Sequence, residues 1–184
     1  MEIKISTKTI LLILHIILWI IFIGLAIDAT GLLAKTIATL TLNPDDAAKF
    51  WRVIDLTEVY QFNETQYITL SSIIIIVASL KVILFYSIIR VFLNKNFNIS
   101  APFNEIFRKL ILTLAYLSFG IGLFSSWGRK LTNQLSSYGL KLQGNEELHI
   151  EGAGVWLFMT IILFVIAQIF KKGIELQNIA WLTI

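Results

Sequence analysis

The chain has 184 residues, 57% of them hydrophobic and 15% charged, with a formal net charge of +3. Soluble domains carry about 25% charged residues, so this chain lacks the polar surface of a water-facing globule, and its apolar residues fall in blocks. It contains no cysteine, which excludes disulfides, thiol catalysis and cysteine-held clusters. Its cations are spread over short connections without a basic helix or aromatic-basic patch, so no direct nucleic-acid binding is expected.

The first block, about residues 10–33, has no charge between Lys8 and Asp28. It is longer than a signal-peptide core and is expected to stay as a spanning helix. The connection that follows holds "LNPDDAAKFWRVI", with Asn43 as a helix N-cap, Pro44 at the first helical position, and Asp45 and Asp46 at the positive end of the dipole. Phe50, Trp51, Val53 and Ile54 would lay an apolar face on the membrane surface. The second block covers about residues 68–93. The third covers about 110–127 and carries Ala115, Ser118, Gly120 and Gly122, small residues that let membrane helices approach.

The next connection contains "LKLQG" and "ELHIEG" around Gly144–Asn145, which predicts a short hairpin. A fourth block, about 154–170, is closed by Lys171 and Lys172. The two long connections either form a cap or lie as plain connectors on the lipid surface. The predicted architecture is a single all-α domain over residues 1–184, a four-helix transmembrane bundle.

Lys4, Lys8, Arg90, Lys95, Arg108, Lys109, Lys171 and Lys172 fall on one side of this arrangement. Lys35, Lys49, Arg52, Arg129, Lys130 and Lys141 fall on the other, over longer connections. The positive-inside rule then puts both termini in the cytoplasm and the two polar connections outside.

Lys81 sits inside the second block, where a buried cation costs at least a few kcal/mol. At about 1.5 Å per residue, Lys81 lies roughly 10 Å from the cytoplasmic face of a ~30 Å core, and His15, Tyr116 and Gln168 fall at about the same level. One explanation is a cytoplasm-facing polar pocket in which these four residues hold an anion or lipid headgroup. The other is a lysine that snorkels while the remaining three hydrogen-bond between helices. Asp28, at the edge of the first block, is a hydrated boundary residue or a partner for Lys35.

No catalytic constellation is present: HExxH, GxSxG and Walker loops are absent. Glu146, Glu147, His149 and Glu151 have spacing compatible with a divalent metal but suit a solvated turn better, so neither metal nor cofactor is expected. Asn63-Glu64-Thr65 matches a glycosylation sequon by chance.

Three stretches, "DLTEVYQFNETQYITL", "LKVILFYSIIRVFLNKNFNISAPFN" and "IAQIFKKGIELQ" with the final "LTI", follow one another in fixed order. Together they resemble the YoaS-like bacterial membrane proteins, a family built on a domain of unknown function. The shared pattern includes Lys81 and the Pro102–Phe103 pair. The tail "NIAWLTI" departs from the acidic ending common in that family. The resemblance implies a multi-pass protein of the bacterial cytoplasmic (inner) membrane with no established activity. It also implies, by gene association, a helix-turn-helix regulator as partner.

The expected function is that of a non-enzymatic regulatory, sensor or interaction protein binding a cytoplasmic partner. The alternative is a small transporter or lipid-binding protein built around Lys81, as a homo-oligomer.

Overall fold

The computed structural model describes residues 7–42, 54–93, 103–142, 144 and 148–182. They form α1 (Thr7–Thr41), the short α2 (Thr57–Phe62), α3 (Glu64–Phe92), α4 (Glu105–Ser137) and α5 (Ala153–Leu182). Four of these, all but α2, are long and apolar enough to cross a membrane. The protein is therefore an all-helical, multi-pass membrane protein.

Two of the long helices start on the same three letters. Phe62-Asn63-Glu64 opens α3 and Phe103-Asn104-Glu105 opens α4. In each, the asparagine is extended and its side chain caps the helix, accepting from the Gln66 N–H at 3.1 Å and the Ile106 N–H at 2.8 Å. Each glutamate then sits against the positive end of the dipole. Asn63 thus has a structural task that accounts for the sequon.

Helix α4 stops where Gly139 takes φ +89°, and its N–H closes on the Ser136 carbonyl at 3.0 Å. A left-handed residue past the last turn favours glycine, which has no Cβ to clash.

The helices run further than the apolar blocks. The third block was expected to end at Trp127, yet α4 continues to Ser137, about ten residues or roughly 15 Å beyond. Over that extension Gly128, Leu131, Thr132 and Leu135 are buried while Arg129, Lys130, Asn133 and Gln134 are exposed. The polar letters look like a loop, but they are the wet face of an amphipathic helix. Helix α1 likewise continues past Leu33 to Thr41.

Packing follows chain order: α1 lies on α3, α3 on α4, and α4 on α5. The result is an open bundle whose outer members, α1 and α5, keep most of their apolar surface exposed. The small stripe on α4 makes a close seam with α5. Ala115, Ser118, Gly122 and Ser125 are buried, and a Cβ on Gly122 would stand 3.1 Å from the Leu157 backbone nitrogen. Gly120 belongs to the other face, against Leu80.

The core lies at one end. Ile54, Leu56 and Val59 from the first long connection and Leu148 and Ile150 from the second bury into α3 and α4 beside Tyr67, Leu70 and Leu135. Burial of apolar groups is driven by water, so a water-driven core forms where the chain leaves the lipid. This is the cap end; the opposite, terminal end holds the start of α1 and the finish of α5.

The expected hairpin does not form among the described residues: Leu140–Leu142 and Leu148–Gly152 are turns and irregular backbone without a strand, and positions 143 and 145–147 lie outside the described residues. The buried Leu148 and Ile150 pack on the helices instead of on a partner strand. The Asn43–Pro44 helix start, Asp45, Asp46, Phe50, Trp51 and Val53 lie outside the described residues, as do Pro102, Glu146 and Glu147.

Candidate functional site

Neighbouring side chains set the vertical register. His15 meets Phe92 and Phe22 meets Tyr86 between α1 and α3. Gly120 meets Leu80 and Gly128 meets Ile73 between α3 and α4. Tyr116 meets Phe164 and Gly122 meets Leu157 between α4 and α5. On this scale Lys81 is level with Gly120, Tyr116 is displaced toward the terminal end by roughly 5 Å, Gln168 by roughly 14 Å and His15 by roughly 16 Å. The four polar residues do not share a layer. The long helices exceed what a ~30 Å core requires, so a depth taken from that thickness does not put residues of different helices on one plane.

Each of the four has its own surroundings. The Trp19 indole N–H donates to His15 Nε2 at 3.0 Å, one turn along α1. Tyr116 is 64% exposed and stands edge-on to Phe164. Gln168 is exposed beside Phe103, Lys172 and Gly173.

Lys81 turns the opposite way from the expected pocket. Side chains on a helix lean toward its N-terminus, and the N-terminus of α3 is at the cap end. The Lys81 ammonium donates to the His149 carbonyl at 2.9 Å and lies in the field of Glu151. The spans themselves bring no carboxylate to Lys81; the second connection brings the His149 carbonyl into contact and the Glu151 carboxylate into its field.

The second connection is shaped for that contact. His149 takes φ +57°, the left-handed region that few side chains adopt, and Gly152 takes φ +68°. These two residues flank the buried Ile150, which a Cβ on Gly128 would meet at 3.2 Å. Gly128 therefore lets the connection settle against α4, with the His149 carbonyl within reach of Lys81.

A second lysine repeats the arrangement on the first connection. Lys35, only 8% exposed, donates to the Ile54 carbonyl and lies in the field of Asp55. Asp28, expected as its partner, is half-buried on α1 and forms no ion pair with it. Beneath Lys35 is a cavity of about 20 Å³ between Leu32, Ile54, Tyr67 and Ser71, the size of a single water. The Asp55 carboxylate accepts from the Thr57 hydroxyl at 2.6 Å and the Thr57 N–H at 3.0 Å. These bonds hold its pKa below the ordinary aspartate value, with desolvation opposing and Lys35 assisting.

The two connections also hold each other. The Lys141 N–H donates to Glu58 at 2.8 Å, and the Phe62 and Tyr138 rings stack at 5.8 Å. Sequence alone identified Lys81 as unusual but not its partners. Glu151 beside a glycine was the visible signal; the His149 carbonyl left none, because a backbone acceptor has no letter.

No group of three or more metal-ligating side chains occurs among the described residues. Compared with known proteins, the chain matches no protein-family model, no curated protein and no solved structure.

Proposed function

We propose that this chain is a non-enzymatic regulatory or sensory protein of a bacterial cytoplasmic membrane. Its cap faces outward, and its terminal end meets a soluble partner in the cytoplasm. The observation that carries this reading is the bond from Lys81, inside a span, to the His149 carbonyl of the cap. A cation in hydrocarbon is costly unless paired, so any event that moves His149 or Glu151 changes the energy of α3. Such differential energy is what lets a signal at one end bias an arrangement at the other.

The resemblance to YoaS-like proteins supports a cytoplasmic regulator, with a helix-turn-helix protein as the first candidate. The transporter or lipid pocket centred on Lys81 is less well supported, because its ammonium already has a carbonyl and a nearby carboxylate.

The coupling is tested with spin labels on Leu93→Cys and Leu176→Cys, both exposed at the terminal end, in a chain without native cysteine. Electron-electron distances in nanodiscs are compared with and without Lys81→Met. A shifted or broadened distribution is expected; an unchanged one, with helical content intact, overturns the reading.

A further inference from the structure

We propose that the cleft between α3 and α4 at the terminal end binds an anionic phospholipid, with Arg90 and Lys109 holding the phosphate. The cleft has a volume of about 470 Å³ and is lined by Ile83, Tyr86, Ser87, Arg90, Lys109 and Thr113, among others, with no carboxylate. Its α3 residues recur every three or four positions, so they share one helical face, and the α4 residues do the same.

The register that sets Gly120 beside Leu80 brings Arg90 level with Leu110. The two cations therefore stand together at the mouth, where the apolar blocks end and headgroup phosphates lie. Ile83 is seven residues deeper than Arg90, roughly 10 Å, and acyl chain fits along that floor.

Neighbouring cations behave differently. Arg108 is paired with Glu105 at 2.6 Å and Lys172 with Glu175 at 3.2 Å. Arg90 and Lys109 form no ion pair among the described residues. Two like charges at one cleft mouth repel each other, and a bound phosphate removes that repulsion.

The hydroxyls are less suited to anchor an anion. Ser87 donates to the Ile83 carbonyl at 2.7 Å and Thr113 to the Lys109 carbonyl at 2.9 Å. The anion must rest on the two cations, with Tyr86, whose ring packs on Phe22, beside them. Ile83 at 47% and Tyr86 at 51% exposed leave the cleft open to the side. That opening suits a lipid arriving within the bilayer. The site requires only that the bundle lies in a membrane, so it stands or falls separately from the coupling through Lys81.

The test is native mass spectrometry of the full chain, offered phosphatidylglycerol and phosphatidylcholine at equal concentration. Inorganic phosphate is added in a separate arm. The expected result is retention of phosphatidylglycerol about tenfold above phosphatidylcholine, lost in Arg90→Gln/Lys109→Gln. Arg90→Lys/Lys109→Arg keeps the charge and should keep the preference, as should Arg108→Gln/Lys172→Gln, which removes only the paired cations. Circular dichroism checks that each variant is helical. Equal retention of both lipids overturns the proposal, as does an unchanged Arg90→Gln/Lys109→Gln variant or equal loss in Arg108→Gln/Lys172→Gln. Displacement by inorganic phosphate would reassign the cleft to a soluble anion and overturn it as a lipid site.

Discussion

Lys81 and Lys35 are the two side chains on which the cap hangs, and each gives its charge to a carbonyl of a connecting segment. Removing Lys81 leaves the His149 carbonyl unpartnered and Glu151 without its cation. Hydrogen bonds to charged groups contribute about 1.5–3 kcal/mol, so Lys81→Met is expected to lose that much stability, measured by unfolding in mixed detergent. Glu151→Gln, which keeps the hydrogen bond, is expected to lose less. Asp55 adds a pH dependence to the other connection. Its folded-state pKa is depressed, so its contribution is fully present above the unfolded value and lost as pH falls through the folded one. Amide protection over residues 54–62, taken relative to the intrinsic exchange rate at each pH, should fall below about pH 4, and Asp55→Asn should abolish that acid step. Protection that stays constant with pH in the natural chain would show that Asp55 does not hold this connection.

The seam between α4 and α5 depends on a residue with no side chain. A Cβ at Gly122 would lie 2.8 Å from Leu157 Cγ and 3.1 Å from its backbone nitrogen, so the helices must separate to admit one. Gly122→Leu is expected to cost about 1–3 kcal/mol through overpacking. Gly24 is the control, because a Cβ there meets nothing within 4 Å. Gly24→Ala should be neutral or stabilising by up to about 1 kcal/mol, since alanine is the better helix former. Thermal unfolding of both variants in one detergent tests the contrast. Equal effects would mean that helix propensity, not close packing, governs the seam.

At the level of the complete molecule, the open row of helices has a built end and a bare end. The cap end has a core of its own, whereas the terminal end presents basic side chains and the cleft beside Arg90. Four spans put both chain ends on one side, and the orientation proposed above makes that side the cytoplasmic one. Tyr138→Cys, 60% exposed at the cap end, should react with an impermeant maleimide from outside intact cells, and Leu93→Cys, also 60% exposed, only after permeabilisation. The reverse pattern would invert the molecule and place the cap in the cytoplasm.

How much could be foreseen varies by feature, for physical reasons. The four spans were legible because a continuous apolar block of about 20 residues in hydrocarbon must satisfy its own backbone bonds, which a helix does within one segment. The small residues of α4 were legible as a contact surface for the same reason. The helix ends were not, because past Trp127 the pattern changes from uniformly apolar to amphipathic, and Arg129-Lys130 resembles a loop until its buried face is known. Nor was the destination of Lys81. Its letter showed an expensive charge, but its bond is to a backbone carbonyl in a segment 68 positions away. Composition and block length therefore settle that the chain crosses a membrane, since transfer to lipid is a local property of each segment. Only the tertiary structure settles which lysine meets which carbonyl, because that depends on the register of helices and on how Gly128 lets Ile150 approach.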